Sequence, residues 1–243
     1  MKSIAFIPAR YAATRFPGKL MQLLGDKTII RHTYENTVDT LLFDEVIVVT
    51  DSRIIFDEIV QHGGYAVMSK TEHESGSDRV AEAAADVEVD IIINVQGDEP
   101  FVKKEPLQNL LHAFSVDKNV QVASLMHEIH GGALIHDPNT VKVVVDRHQN
   151  ALLFSRSVIP FQRDKSITPV YYKHIGIYGY RKEALMSFTK WPAGRLEVIE
   201  KLEQLRYLEN GVTIKMVITD ESPVSIDTPE GLERAKKLLE TYR

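Results

Sequence analysis

The amino-acid sequence predicts an α/β fold built on a mostly parallel sheet, with an antiparallel insertion in its second half. Short runs of β-branched residues alternate with stretches of helical periodicity along the first half of this chain of 243 residues. Beyond residue 140, strand-like segments instead follow one another around short turns. Because ligands of parallel α/β sheets collect at the carboxyl ends of the strands, the loops after the strands are expected to carry the functional residues.

The strands and helices of the first half are predicted from runs of apolar residues and from residues that cap or end helices. The runs at 45–50 (EVIVVT) and 90–95 (DIIINV) are apolar and mostly β-branched, as expected for strands buried on both faces. Ser77 is predicted to cap one helix, and Gly63 with Gly64 to end another. The predicted strands are 3–8, 45–50, 65–69 and 90–95, and the predicted helices are 28–40, a stretch around 54–59, 78–87 and 105–116.

The insertion is predicted at about residues 140–181. Strand-like segments at 140–146 and 151–156 flank a turn at 148–150, and a third segment covers 171–181. No flexible linker separates the insertion from the rest of the chain, so a single domain spanning residues 1–243 is expected.

The last elements are predicted from periodicity and capping. A strand is expected at 213–219, and a final helix begins at Pro229 with Thr228 as its cap. Before that strand, one helix is predicted with these apolar residues on a common face: Leu196, Ile199, Leu202, Leu205 and Leu208.

Composition narrows the class of protein. The chain carries 29 Lys and Arg against 34 Asp and Glu, a net charge of -5, and so lacks the positive field of a non-specific nucleic-acid binder. It contains no cysteine, which excludes a disulfide framework, a cysteine nucleophile and a thiolate zinc site. No run approaches the roughly 18 apolar residues of a membrane span, and the apolar start is too short for a signal peptide. A cytoplasmic protein without a nucleic-acid partner is expected.

A loop with three cations follows the first predicted strand. Arg10, Arg15 and Lys19 lie within ten residues, and Gly18 precedes the last of them. Cationic donors, and a backbone that a ligand can approach, are what a triphosphate requires. The alternative is a solvated surface loop, which charge alone favours because surface Lys and Arg are common. The loop is not a Walker P-loop, since Leu20 stands where that motif has Ser or Thr, and no Gly-x-Gly-x-x-Gly turn is present.

Two acidic residues are candidates for a metal site. Asp98 follows the apolar strand at 90–95, and Asp227 precedes the last helix. Carboxylates at strand ends suit Mg²⁺, which prefers oxygen ligands and usually shares them with phosphates. The alternative for each acid is a turn or a helix cap, the commoner role at such a position.

Other polar residues also have two interpretations. The glycine-containing turn at 75–79 can hydrogen-bond a base or a phosphate at the start of a helix. His174, Tyr178 and Glu197 can bind a polyhydroxy acid. Taken singly, His174 is better explained as a packing residue of a half-buried strand, and Glu197 as an exposed acid on a helix.

Together these segments resemble the CMP-Kdo synthetase family, also called the 3-deoxy-manno-octulosonate (Kdo) cytidylyltransferases. The resemblance runs nearly from end to end and rests on the order and spacing of nine motifs. They are PARYAATRFPGK (8–19), VVTD (48–51), SGSDR (75–79), NVQGDEPF (94–101), DPNTVKVV (137–144), FSRSVIP (154–160), HIGIYGYR (174–181), LEQLR (202–206) and IDTPEGLERA (226–235). The chain departs from the family at Ala13, often Ser, in SGSDR, often SGTER, and at Ser225-Ile226, often Gly-Val.

The resemblance implies a nucleotidyltransferase-like, Rossmann-like fold whose antiparallel insertion helps to close the sugar site and to build a homodimer. The implied reaction transfers CMP from CTP to Kdo with release of pyrophosphate, and so activates Kdo for lipopolysaccharide synthesis. Mg²⁺ is the implied cofactor. The alternatives are a related acceptor, such as amino-Kdo or a sialic acid, and a non-catalytic nucleotide-binding protein.

The resemblance also implies roles for individual residues. The implied catalytic residues are Arg10, Arg15, Lys19 and Asp98, and the implied metal ligands are Asp98 and Asp227. The implied nucleotide-binding residues are Pro8, Ala9, Arg10, Arg15, Lys19, Ser75, Gly76 and Arg79. The implied sugar-binding residues are Gln96, Arg156, His174, Tyr178, Glu197 and Gln204.

Overall fold

A computed structural model describes residues 1–12, 16–73, 75–221 and 224–241 of the chain. The chain divides into two compact units, the first formed by Met1–Gln108 with Pro223–Arg243 and the second by Asn109–Ser222. The predicted single domain stays a prediction. None of the helices in the described ranges combines the length and the apolar character that a membrane crossing needs.

The first unit contains a four-stranded parallel sheet. Its elements are β1 (Ser3–Ala9), a 3-10 turn (Lys19–Met21), β2 (Leu23–Leu24), β3 (Lys27–Thr28), α1 (Ile29–Asp39), β4 (Glu45–Thr50), α2 (Arg53–Gln61), β5 (Ala66–Met68), α3 (Gly76–Ala84) and β6 (Ile91–Asn94), and α4 (Lys104–Val116) follows. Strands β6, β1, β4 and β5 lie side by side in this order. Every residue of β1 is buried. The loops after β1, β4 and β6 therefore leave from one edge of the sheet.

The second unit has a mixed sheet. Its elements are β7 (Val122–Glu128), α5 (Gly132–His136), β8 (Lys142–Val145), β9 (Ala151–Ser155), β10 (Tyr172–Arg181), α6 (Lys182–Phe188), α7 (Arg195–Glu200), α8 (Leu205–Glu209) and β11 (Ile214–Ile218), after which α9 (Pro229–Thr241) belongs to the first unit. β7 pairs with β11 in parallel and with β10 antiparallel, while β8 pairs antiparallel with both β10 and β9. The predicted α/β fold, mostly parallel with antiparallel strands in the second half, is confirmed.

Two helix caps can be compared with their predictions. The Thr228 hydroxyl accepts a hydrogen bond from the Gly231 N–H at 3.1 Å, as expected for the cap of α9. The cap predicted at Ser77 is wrong by two residues. Ser75 caps α3 instead, since its hydroxyl accepts from the Asp78 N–H at 3.1 Å and the helix already begins at Gly76.

The single helix predicted around residues 196–208 is also wrong. α7 ends at Glu200, the next residue Lys201 has a φ of 55° in the left-handed region, and α8 begins only at Leu205. Leu202 and Leu205 are buried, whereas Leu196 and Ile199 are 41% and 66% exposed. The apolar residues therefore do not share one buried face. Apolar spacing cannot register a left-handed residue that breaks the helix.

Strand β7 was not predicted, although it lies in the middle of the second unit's sheet. Its first five residues are all buried. A strand that is buried on both faces loses the alternation of polar and apolar residues that marks a half-buried strand. Ser124 and Ala123 also weaken its β-branched character, so the local pattern gave no strand signal.

Candidate active site

A lysine and two aspartates meet in the first unit. The Lys19 ammonium donates a hydrogen bond to the Asp98 carboxylate and another, at 2.8 Å, to Oδ1 of Asp227. The side chains of Lys19 and Asp98 are 16% and 17% exposed, and that of Asp227 is 46% exposed. Three of the residues predicted to act on triphosphate and metal, two of them 208 positions apart, thus form one cluster.

Close packing of the backbone holds Asp98 in this cluster. A Cβ atom at Gly97 would lie 3.1 Å from the Pro8 carbonyl oxygen, so glycine allows the loop after β6 to approach the end of β1. The Ile226 N–H donates to the Asp98 carbonyl oxygen at 3.0 Å. This bond brings Asp227 beside Asp98 and explains how residues from opposite ends of the chain share one lysine.

The cluster is electrostatically unbalanced. Burial works against the charge of Lys19, but Asp98 and Asp227 outweigh it and hold the pKa of the ammonium above its ordinary value. Burial raises the pKa of Asp98, and Lys19 offsets only part of that rise. Among the described residues of this cluster, one cation faces two carboxylates, so their fully ionised form carries one net negative charge and favours a further cation.

The donor set of this cluster fits Mg²⁺. Mg²⁺ is usually bound by one or two carboxylates together with phosphate oxygens and water. Asp98 and Asp227 supply two carboxylates within reach of one ammonium group. No group of three or more His, Asp or Glu side chains suited to a metal occurs among the described residues. The acids therefore match a metal that a triphosphate helps to hold.

The other two predicted phosphate-binding cations differ in placement. Arg10 directly follows β1 and is exposed, at the edge of the sheet from which the loops leave. Arg15 lies outside the described residues.

The predicted nucleotide turn packs on the end of β1. A Cβ atom at Gly76 would lie 3.3 Å from Pro8 Cγ, so the glycine allows a close approach. Besides capping α3, the Ser75 hydroxyl donates to the Asp78 carboxylate at 2.9 Å. Pro8 and Ala9 are buried, and the turn is held against this strand end.

Arg79, the last residue of the nucleotide turn, is only 4% exposed. Its guanidinium donates to the Ala9 carbonyl oxygen and, at 2.5 Å, to Oδ2 of Asp51. Arg79 thus ties α3 to the carboxyl ends of β1 and β4. The sequence interpretation gave Asp51 no role, although it is the last residue of the VVTD motif.

Glu82 on α3 is a second residue that sequence reasoning missed. Its carboxylate accepts from the Lys70 N–H at 2.7 Å and from the Thr71 hydroxyl at 3.1 Å, and lies 3.0 Å from Nε2 of His73. It therefore anchors the segment that leads into the nucleotide turn. No recognised motif marks this contact.

Two of the predicted sugar-binding residues contact each other in the second unit. The rings of His174 and Tyr178 lie with their centroids 5.3 Å apart, and Nε2 of His174 lies 3.1 Å from the Ser124 hydroxyl. Burial, reinforced by the charge of Lys173, lowers the pKa of His174 to about 3. The imidazole is therefore neutral at neutral pH and can both donate and accept a hydrogen bond.

Buried polar atoms in the second unit lack partners among the described residues. They are the hydroxyls of Tyr178 and Tyr207 and Nε2 of Gln204, on residues that are 8%, 1% and 7% exposed. Burial, with Tyr180 and Glu203 nearby, raises the pKa of Tyr178 well above its ordinary value, so the phenol keeps its proton. Because unpaired buried donors are costly, a polar ligand is the expected partner. In the first unit, the half-buried Gln96 donates from Nε2 to Asn94 Oδ1 at 3.2 Å.

Arg156 is anchored to backbone carbonyl groups. Its Nε donates to the Glu200 oxygen at 2.8 Å, Nη1 to the Pro138 oxygen at 3.0 Å and Nη2 to the Lys201 oxygen at 3.5 Å. A guanidinium has five N–H donors. These contacts occupy three, and one remains on each Nη atom for a carboxylate or another acceptor.

Glu197 forms a buried ion pair with Arg206. Its two oxygens accept from Arg206 Nη2 at 2.5 Å and Arg206 Nε at 2.7 Å, and the Gly194 N–H adds a third bond at 2.9 Å. The side chains are 10% and 11% exposed. The Glu197 carboxylate on α7 therefore already has a structural partner in Arg206 on α8. Its predicted contact with the sugar stays a prediction.

Comparison with known proteins places this site in context. The cytidylyltransferase family model matches residues 4–214. The chain is 59% identical over 241 residues to a 3-deoxy-manno-octulosonate cytidylyltransferase of Flavobacterium johnsoniae, covering 98% of this chain and 99% of the relative. It is 54% identical to the enzyme of the same name from Christiangramia forsetii, covering 97% and 96%.

Solved structures give a consistent comparison. A CMP:2-keto-3-deoxy-manno-octonic acid synthetase complexed with CTP superimposes with a TM-score of 0.95 and 38% identity, covering all of both chains. A 4-diphosphocytidyl-2C-methyl-D-erythritol synthase from Anaerococcus prevotii has a TM-score of 0.67 and 18% identity over 98% and 99% of the two chains, a likeness of fold alone.

Proposed function

We propose that this chain, which belongs to the cytidylyltransferase family, transfers CMP from CTP to Kdo and releases pyrophosphate, activating Kdo for lipopolysaccharide synthesis. The observation that carries the proposal is the 59% identity, over 98% of the chain, to a relative named for this activity. The cluster of Lys19, Asp98 and Asp227 adds chemical support, because it combines an ammonium with two carboxylates at a strand edge.

The triphosphate is proposed to bind the cations of the loop after β1. Arg10, Arg15 and Lys19 would contact the phosphates, and the turn with Ser75 and Gly76 would approach the nucleoside. As CMP is transferred, negative charge moves onto the departing pyrophosphate. An ammonium whose pKa is raised stays charged throughout the neutral range, so Lys19 can stabilise that charge.

Mg²⁺ is the proposed cofactor, held by Asp98 and Asp227. Asp98 supports this assignment because its carboxyl is buried and only partly compensated by Lys19. When bound, the metal supplies positive charge that polarises the α-phosphate. The two acids also hold the Lys19 ammonium, and so couple the phosphate-binding cation to the metal ligands.

Kdo is proposed to bind mainly through residues of the second unit. The remaining N–H donors of Arg156 suit its carboxylate, and the neutral His174 suits a hydroxyl. The unpaired buried donors of Tyr178 and Gln204 suit other hydroxyls of a polyol. Gln96 and Glu197 complete the proposed set.

The reaction needs little covalent participation by the protein. The anomeric oxygen of Kdo forms a bond to the α-phosphorus while the bond from that phosphorus to the pyrophosphate oxygen breaks. The hydroxyl proton leaves to solvent or phosphate, and no dedicated general base is required. The proposed role of the side chains is positioning and charge stabilisation.

One assay tests the proposed function. Pyrophosphate release is measured in three parallel reactions that contain CTP with Kdo, amino-Kdo or sialic acid. A reaction with CTP and no acceptor is the control. Release with Kdo at the highest kcat/KM is expected. A preference for amino-Kdo or sialic acid would correct the acceptor, and no release with any acid would favour a non-catalytic nucleotide-binding protein.

We also propose that the chain forms a symmetric homodimer in the cytoplasm. Large apolar side chains in the second unit support the dimer, since Leu152, Phe161 and Ile167 are 62%, 83% and 63% exposed. A cytoplasmic location fits the proposed use of CTP, a nucleotide of that compartment.

A further inference from the structure

A lysine with no exposed surface lies in the second unit. Lys142, the first residue of β8, is 0% exposed. Its ammonium donates to the main-chain oxygens of Asp137 at 3.0 Å, Thr140 at 2.6 Å and Arg156 at 2.6 Å. An ammonium has three N–H donors and no acceptor, so these three carbonyl groups use its whole capacity.

Burying the ammonium group of Lys142 has a free-energy cost. Burial lowers the pKa of Lys142, as expected for a charge taken out of water, while the charge of Asp137 opposes this effect. An apolar side chain of the same length would avoid that desolvation cost but would leave three main-chain oxygens without their donor. The ammonium is therefore better explained by the backbone that it organises.

One part of that backbone is the turn formed by residues 137–140. Asp137 Oδ1 accepts from the Asn139 N–H at 2.8 Å, and Asp137 Oδ2 accepts from the Thr140 hydroxyl at 3.3 Å. These bonds shape the turn from within. Lys142 donates to two main-chain oxygens of the turn, those of Asp137 and Thr140, and so ties the turn to the start of β8.

The other part is Arg156, just after β9. Its carbonyl oxygen binds Lys142, and its N–H donates to Glu200 Oε2 at 3.0 Å. Its Nη1 donates a hydrogen bond to the carbonyl oxygen of Pro138, which belongs to the 137–140 turn. Lys142 therefore contacts both the main chain that carries the guanidinium and the turn against which the guanidinium lies.

We propose that Lys142 is a positioning residue for the acid sugar. Its ammonium fixes the main chain of Arg156 and the 137–140 turn, and thereby aims the remaining Nη N–H groups of Arg156 at the sugar carboxylate. The inference rests on the proposed function, which assigns that carboxylate to Arg156. Lys142 itself contacts neither substrate.

The test compares Lys142→Met with the wild type in the pyrophosphate-release assay. Met keeps the chain length and removes the donors. The KM for Kdo is expected to rise by roughly tenfold to a hundredfold, the range that misplacement of a binding group produces. The kcat and the KM for CTP should stay within about twofold, since the lost interaction is equal in ground state and transition state.

Lys215→Met is the matched control. Lys215 on β11 also donates its ammonium to a turn carbonyl group, that of His148, but does not contact Arg156. Its replacement should leave the KM for Kdo unchanged. An equal rise in both variants would overturn the proposal, because any lysine bound to a turn would then have the same effect.

A double-mutant cycle separates positioning from general damage. In an Arg156→Ala background, Lys142→Met should add no further rise in the KM for Kdo, because Lys142 acts through Arg156. Effects that multiply would overturn the proposal. If Lys142→Met does not fold by circular dichroism, Lys142→Gln, which keeps two donors, replaces it; if neither folds, Lys142 is a stability residue and the proposal is wrong.

The assay also distinguishes this inference from the proposed function. A wild type that releases no pyrophosphate from CTP with Kdo overturns the function and this inference with it. An active wild type, with an unchanged KM for Kdo in Lys142→Met, overturns this inference alone.

Discussion

Lys19 has two tasks in the proposed reaction, because the ammonium that meets the triphosphate also compensates two carboxylates. With 16% of its side chain exposed, it is not the solvated loop cation that its charge alone would suggest. Removing it affects both tasks at once. Without the ammonium, the Asp98 and Asp227 carboxylates repel each other, and the triphosphate loses a hydrogen-bond donor.

Lys19→Met is expected to lower kcat/KM for CTP by about a hundredfold or more, the usual effect of losing a group that meets developing charge. It should also lower the free energy of unfolding by about 1–3 kcal/mol, less than the loss of one partner from a fully buried pair. Initial rates and urea unfolding measure the two effects. Lys27→Met is the control, since Lys27 pairs with Glu35 while 33% exposed. Wild-type kcat/KM in Lys19→Met would show that the triphosphate role is wrong.

Asp98→Asn and Asp227→Asn test the metal site. Each change keeps the volume but removes a ligand charge, so turnover is expected to fall by about two to three orders of magnitude while thermal melting is nearly retained. Excess Mg²⁺ should restore part of the turnover of the variants. Excess EDTA should abolish the turnover of the wild type. Asp86→Asn, on a side chain that is 88% exposed, is the control and should be fully active. Normal turnover in both site variants rules out the proposed magnesium ligands.

His174 gives a prediction for pH dependence. Its pKa of about 3 lies below the ordinary value of 6.5, so folding favours the neutral ring. The stability that depends on this neutrality is complete above pH 6.5 and is lost as the pH falls from 6.5 towards 3. Imidazole resonances of His174, assigned with a His174→Gln variant, are expected to stay constant between pH 8 and about pH 5. A titration midpoint near 6.5 would contradict the buried, neutral state.

At the scale of elements, one left-handed residue decides the arrangement of α7 and α8. Lys201 ends α7 with φ of 55°, and the chain then resumes as α8. The Glu197 and Arg206 ion pair links the two helices across this break. The main-chain oxygens of Glu200 and Lys201, at the end of α7, accept from Arg156. A break in a helix thus supplies acceptors that a continuous helix would keep for itself.

Lys201→Gly is expected to stabilise the protein by about 0.5–1 kcal/mol, because glycine adopts a positive φ without steric cost. Lys201→Ala removes the same charge but keeps a Cβ atom, and serves as the matched control. Urea unfolding of the two variants measures the difference. Equal stabilities would mean that the left-handed conformation of residue 201 carries no strain.

At the scale of the whole molecule, the proposed roles divide between the two compact units. The residues proposed for CTP and Mg²⁺ belong to the first unit, and those proposed for Kdo, except Gln96, belong to the second. The second unit also carries the exposed apolar side chains that support a dimer. Burying them in a symmetric interface removes apolar surface from water.

Light scattering in solution is expected to give twice the chain mass of 27.5 kDa. Phe161→Asp and Leu152→Asp should lower this mass towards that of one chain, because each places a charge among apolar side chains. Leu41→Asp is the control, since Leu41 is 83% exposed but belongs to the first unit. A single-chain mass for the wild type at working concentration would reject the dimer.

The sequence by itself determined what depends on local chemistry and on motif order. Buried strands with runs such as EVIVVT, the cation-rich loop at 8–19 and the acid after the strand at 90–95 are all readable from neighbouring residues. The parallel sheet then follows, because strands alternating with helices return in the same direction. The resemblance to the family follows from nine motifs in a fixed order. The alignment with the relative from Flavobacterium johnsoniae covers 98% of the chain.

Only the tertiary structure decided which of these residues meet. Lys19 contacts acids 79 and 208 positions away, and no periodic pattern extends over such distances. Burial of Arg79 and Lys142 was equally out of reach, because both are charged and a local pattern assigns charged residues to the surface. The sequence pattern missed strand β7 because that strand is buried on both faces. It missed the break at Lys201 because a single dihedral angle produces that break. Packing around distant residues sets each of these features, and it exists only once the chain has folded.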